Sequence, residues 1–100
     1  MGQGLGIEEI LGPHRQEVLR LGHRYGAEGF RVFGSVRRQA ADDASDVDLL
    51  VRWNHRTTLQ QIARFHQEVE RLLGRRVDLV EEGQLPWAMA PQIEAEALPL

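Results

Sequence analysis

Positions 57–80 leave little freedom in how they can fold. Leu59, Ile62, Ala63, His66, Val69, Leu72 and Leu73 recur at helical spacing, Thr57 or Thr58 can cap the start, and Gly74 can end the helix. Immediately downstream, Arg76-Val77-Asp78-Leu79-Val80 alternates as a strand, with Asp78 on one face and Val77 and Leu79 on the other. Upstream, the segment from Asp46 to Arg52 carries Val47, Leu49, Leu50 and Val51, a buried-strand composition with acids at its entry end. Two strands joined through a full helix either lie parallel or rejoin the sheet at another position, and either arrangement brings Asp78 to the edge that holds Asp46 and Asp48.

The flanking segments fit one small domain. Pro13 suits the first turn of a helix whose Leu11, Val18, Leu21 and Tyr25 share a face until Gly26 and Gly29 stop it. Phe30-Arg31-Val32-Phe33 reads as a short strand running into a Gly34-Ser35 turn, which opens a short helix or irregular segment through about Ala41. Trp53-Asn54-His55-Arg56 reads as an exit loop, and Pro86 as the start of a last helical segment through about Glu96. The expected fold class is α/β (α+β): a small mixed sheet with helices packed mainly on one face and carboxylates at one end of the strands. No repeat or linker divides residues 1–100, so a single domain is expected.

Composition narrows the function. The 100 residues suffice for one core but not for a separate acceptor domain, so a partner is expected to complete the site. There is no cysteine, which excludes disulfides and thiolate metal sites. No apolar stretch approaches the roughly 20 residues that span a bilayer. Met1-Gly2-Gln3-Gly4 has neither the basic nor the apolar region of an export signal, so a cytoplasmic protein without membrane association is expected. The net charge of −3 argues against a broad nucleic-acid surface, and no direct nucleic-acid binding is expected. All 12 basic residues are arginine, which excludes a phosphate-loop lysine and a lysine-linked intermediate. Any phosphate grip must use arginine, backbone or metal.

The chemistry concentrates in Gly34-Ser35, Asp46-Val47-Asp48 and Asp78. Carboxylates one residue apart on a strand project to the same side, and like charges held that close need a cation. The Gly-Ser turn, followed by Arg37 and Arg38, offers flexible amides, a hydroxyl and guanidinium groups to phosphate oxygens. Magnesium prefers carboxylate, phosphate and water oxygens, so aspartates plus a triphosphate can complete its shell. In a two-ion arrangement, with the ions roughly 3.5–4 Å apart, one ion activates the attacking hydroxyl and the other stabilises the departing pyrophosphate.

Taken together, Arg31-Val32-Phe33-Gly34-Ser35, Ser45-Asp46-Val47-Asp48-Leu49-Leu50-Val51, Leu73-Gly74-Arg75-Arg76-Val77-Asp78-Leu79-Val80 and the ending Ile93-Glu94-Ala95-Glu96-Ala97-Leu98-Pro99-Leu100 resemble the minimal nucleotidyltransferases of the DNA polymerase β-like superfamily. The resemblance implies the polymerase β-like nucleotidyltransferase fold. It also implies Asp46, Asp48 and Asp78 as catalytic metal ligands for magnesium, two ions expected, and Gly34, Ser35 and Arg38 as the grip on ATP. Two positions depart from the family pattern: Val36 stands where arginine is usual and Gln39 where glycine is usual. Within the family, a chain this short resembles the antitoxin of a toxin–antitoxin pair. The implied function is transfer of AMP from ATP to a tyrosine of a partner HEPN ribonuclease toxin, with which it would form a hetero-oligomer. The alternatives are neutralisation of the toxin by binding alone, and nucleotidyl transfer to RNA or a small hydroxylated molecule.

Several other residues carry structural readings. Asp42 and Asp43 are read as loop residues, and His66 as a packed histidine, because the four histidines show no metal-ligand spacing. Arg75 is read as a helix C-terminal cation and Trp87 as a cap on the core.

Overall fold

The computed structural model describes residues 4–100; residues 1–3, part of the segment considered above for an export signal, lie outside the described residues. Along the chain, α1 (Ile7–Ile10), a 3-10 turn (Gly12–His14) and α2 (Arg15–Arg24) lead into β1 (Ala27–Phe33). Then come α3 (Gly34–Arg37), β2 (Val47–Trp53), α4 (Leu59–Leu73) and β3 (Val77–Glu81). A second 3-10 turn (Glu82–Gln84), α5 (Ala90–Glu96) and the two-residue β4 (Leu98–Pro99) complete the fold.

The α4 segment forms as its spacing predicts. Thr58 caps it, its hydroxyl accepting from the Gln61 amide at 3.1 Å while Gln61 accepts from the Thr58 amide at 2.8 Å. Gly74 ends it in the left-handed conformation, φ +68°. The strands order as β3-β2-β1-β4, with β2 and β3 parallel and the other pairs antiparallel. Of the two arrangements open to a helical crossover, the chain takes the parallel one, and the sheet is mixed.

Val47, Leu49 and Val51 of β2 and Phe30 and Val32 of β1 form the inner face of the sheet, buried with Val18 of α2 and Phe65 and Val69 of α4. Phe65 is the hub: its ring lies 5.5 Å from Phe30 and 5.4 Å, edge-on, from Trp53. Alternation sends Arg31, Phe33 and Asp48 to the opposite face. Arg31 pairs there with Glu82 at 3.6 Å and with Glu94 of α5 at 3.3 Å, which ties the C-terminal helix to that side.

Three local differences from the sequence reading have physical causes. α2 ends at Arg24 and Gly26 (φ +95°) turns the chain, so β1 starts at Ala27 and Gly29 lies inside it at a pairing irregularity against β2. The last helix begins at Ala90, with Pro91 in its first turn, because Pro86 initiates only a turn. Trp87 does not cap the core; it is 88% exposed, since the inner face is already filled by Phe30, Trp53 and Phe65. Among the described residues no helix is long and apolar enough to cross a membrane.

Because Phe65 is fully buried between two aromatic neighbours, Phe65→Ala should destabilise the fold by about 3–5 kcal/mol. Urea unfolding followed by tryptophan fluorescence will measure this as a lower midpoint with an unchanged slope.

Candidate active site

Strand register assembles the site. In the antiparallel pair Phe33 lies opposite Asp48, and in the parallel pair Asp48 lies beside Asp78. Residues in register on neighbouring strands project to the same face, so the Asp48 and Asp78 carboxylates stand side by side. Gly34 follows Phe33 directly, which places the Gly34-Ser35 turn next to Asp48. The fit is close: Gly34 has φ +77°, and a Cβ built on it would overlap the Asp48 Oδ2. Only glycine satisfies both the backbone angle and the space.

Asp46 stands just before β2, its side chain 42% exposed and 3.8 Å from the Arg76 guanidinium. The loop leading to it is pinned by Arg75, whose Nη1 donates to the carbonyls of Asp42 and Ser45, each at 2.9 Å. Arg75 is thus more than a helix-end cation: it fixes the approach to Asp46. Asp42 closes a turn of its own, accepting from the Ala44 amide at 2.9 Å and the Ser45 hydroxyl at 3.1 Å. His66 contacts the Val77 carbonyl and lies 3.4 Å from Glu70, bridging α4 to β3 away from the acids.

A cleft of about 270 Å³ opens beside the turn, between Phe33, Gly34 and Arg38 on one side and Met89, Gln92, Ile93 and Glu96 on the other. Glu96 is the site residue that sequence reasoning missed. It accepts from the Gly34 amide at 2.9 Å and from Arg38 Nη1 at 2.7 Å, and its carbonyl accepts from Arg37 Nε at 2.7 Å. Its signal in the sequence was its place in the ending Ile93 to Leu100 that carries part of the family resemblance, where Glu94 is a second acid and nothing singles Glu96 out. Arg38 therefore reaches the site already paired through one arm, and Arg37 is turned toward the C-terminal segment.

The charges are unevenly compensated. Asp48 is pushed up from the ordinary 3.8 to about 6, first by burial, then by Asp78 and Asp46; Arg38 pulls it back and Glu96 adds to the rise. Glu96 is held below its usual range, chiefly by the Gly34 amide and then by Arg38. Among the described residues, no three carboxylate or histidine side chains close into a preformed metal cage. Magnesium commonly takes one or two carboxylates, with phosphate and water oxygens filling the rest of its shell. The crowded Asp48, with Asp46 and Asp78 near it, fits an ion that arrives with phosphate oxygens.

The two departures from the family pattern take physical form. Val36 is fully buried and packs in the core, so its position does not face a ligand. Gln39 adopts φ +58°, a left-handed conformation that accounts for glycine being usual there.

Residues 14–100 match the family model for a nucleotidyltransferase domain. The chain is 37% identical over 92 residues to the protein adenylyltransferase MntA of Thermococcus cleftensis, covering 92% of this chain and 90% of that one. It superposes with a TM-score of 0.83 and 43% identity on a solved structure provisionally described as a minimal nucleotidyltransferase, covering 99% of this chain and all of the other. A crystal structure of a toxin–antitoxin with AMP-PNP shares the fold at TM-score 0.72 and 17% identity, over 86% of this chain and 71% of that one.

Folded Asp48 holds its proton more tightly than unfolded Asp48, so without metal its contribution to stability falls as pH rises from about 4 to about 6 and stays low above that. Asp48→Asn should therefore gain stability over wild type across that window, reaching about 1–3 kcal/mol at pH 7 after allowance for solvent screening. Thermal unfolding in EDTA at several pH values will show the difference widening and then levelling. Gln39→Gly should relieve the left-handed backbone and stabilise by about 1 kcal/mol, read as a higher melting temperature.

Proposed function

The chain belongs to the nucleotidyltransferase-domain family, in its minimal nucleotidyltransferase group, and on that basis we propose that it transfers AMP from magnesium-bound ATP to a tyrosine of a partner HEPN ribonuclease toxin, acting as an antitoxin in the cytoplasm. The observation that carries this reading is the contact between Gly34 and Asp48, with Asp78 in register beside it. It joins an acid cluster in need of a cation to a turn suited to phosphate oxygens. The name of the Thermococcus relative, protein adenylyltransferase, supports AMP as the transferred group. The MntA–HepT toxin–antitoxin crystal structure and the one with AMP-PNP support a toxin partner and an adenine nucleotide.

Asp46 and Asp48 would hold the metal, one ion or two, with Asp78 completing the set; the metal would neutralise phosphate charge and acidify the attacking hydroxyl. The residues of the chain do the rest. The Gly34-Ser35 turn and the donors of Arg38 not taken by Glu96 hold the terminal phosphates and orient the α-phosphorus. Asp78, the most exposed of the three acids, accepts the phenolic proton as the tyrosine oxygen bonds to phosphorus and the bond to pyrophosphate breaks. The added phosphate brings charge and bulk to the toxin's active centre.

Incubation with labelled ATP, magnesium and the product of the neighbouring gene should label a tyrosine of that product, and Asp46→Asn with Asp48→Asn should abolish the label while the complex still forms. A double variant that protects cells as well as wild type would show that the toxin is neutralised by occlusion. Absence of label with any divalent metal and an intact partner would overturn the transfer reading.

A further inference from the structure

We propose that Glu96 is a positioning residue for nucleotide capture: it braces the Gly34-Ser35 turn and aims the Arg38 guanidinium at the triphosphate. The inference rests on the nucleotidyltransferase reading above and adds a residue to it.

The geometry is that of a clamp. One carboxylate spans the short helix α3 from end to end, taking the Gly34 amide at its start through Oε2 (2.9 Å) and Arg38 just past its end through Oε1 (2.7 Å). The Glu96 carbonyl holds Arg37 between them at 2.7 Å. The Glu96 backbone is itself fixed on both sides. Ahead of it, Glu94 binds Arg31 at 3.3 Å; behind it, Leu98 and Pro99 pair with Val32 and Arg31, and the Leu100 amide donates to Phe30 at 3.1 Å. The clamp is thus anchored to β1, the strand that delivers Gly34. The bond to the Gly34 amide is partly buried, whereas the pair with Arg38, whose side chain is 57% exposed, stands open to water.

A carboxylate on an amide and a guanidinium resembles a phosphate in its cradle, and the opposite role would be a plug that competes with the nucleotide. Donor accounting favours the brace. A guanidinium has five N–H donors and Glu96 engages one Nη, which leaves the other donors for phosphate oxygens. Ser35 offers its hydroxyl, for which no partner appears among the described residues. Arg38 also lines the cleft that opens beside Gly34, with Glu96 across from it. A long arginine on an exposed helix end would otherwise sample many rotamers, and immobilising it before binding reduces the ordering cost.

The test is calorimetric binding of magnesium–ATP and of AMP to the full chain, comparing wild type with Glu96→Gln, Glu94→Gln, Arg38→Ala and the Glu96→Gln/Arg38→Ala double variant. The brace predicts that Glu96→Gln weakens ATP about tenfold and leaves AMP, which lacks the terminal phosphates, unchanged. It further predicts a smaller loss from Glu96→Gln once Arg38 is alanine, because only the turn contact is then left to weaken, and no such loss in Glu94→Gln, which releases the same helix without touching the turn. Tighter ATP binding by Glu96→Gln would overturn the brace in favour of a competing plug. Equal weakening of ATP and AMP, or a loss from Glu96→Gln that is undiminished when Arg38 is alanine, would overturn it in favour of a general packing role. A wild-type chain that binds no magnesium–ATP would overturn the nucleotide reading itself; binding by wild type with no response to Glu96→Gln would overturn only the brace.

Discussion

The crowding of the Asp48 carboxylate against Gly34, with Asp78 in register beside it, is the contact on which the rest of the site depends. A partly buried acid among acids is unfavourable by itself, as the rise of Asp48 to about 6 shows. The fold tolerates it because the sheet is anchored elsewhere, by Phe65 against Phe30 and Trp53 on the inner face. The inner face supplies stability and the outer face holds the strain. Such a division is common at sites that bind charge, where local cost is retained because a ligand relieves it.

The parallel pairing of β2 and β3 has a functional consequence. It places the starts of both strands at the same end of the sheet, so Asp46, Asp48 and Asp78 gather there, while the antiparallel β1 ends at that point and delivers the Gly34-Ser35 turn. An antiparallel β3 would have carried Asp78 away. The α4 crossover, set by its capping box and its left-handed Gly74, is therefore part of the site's construction although none of its side chains belongs to it. The C-terminal segment closes the other side: α5 and β4 are short and weakly paired, yet they carry Glu94 and Glu96 to Arg31 and Arg38.

Periodic features were legible in the sequence. The α4 limits coincide with the apolar stripe from Leu59 to Leu73, and β2 and β3 lie within a residue of the expected spans, because burial on a long regular element leaves a repeated pattern. The family was legible through the resemblance carried by Gly34-Ser35, Asp46, Asp48 and Asp78 at their joint spacing, whereas the pairing of β2 with β3 stayed open until the structure showed it parallel. What lacked a pattern was missed. A two-residue strand such as β4 exists only because β1 has an open edge. Trp87 was misread because hydrophobicity alone does not reveal that three aromatics already fill the core. Glu96 and Arg75 act through contacts with residues far along the chain, for which a single sequence carries no local sign.

The central claim is that the charge gathered at Asp48 is neutralised by a divalent cation that arrives with a nucleotide. Carbon-13 NMR of the aspartate carboxyl carbons, followed through a pH titration with and without magnesium and a non-hydrolysable ATP analogue, tests it directly. The account predicts an Asp48 midpoint near 6 for the free protein, moving below the ordinary 3.8 when metal and nucleotide are added together. A midpoint that stays near 6 in their presence would contradict it.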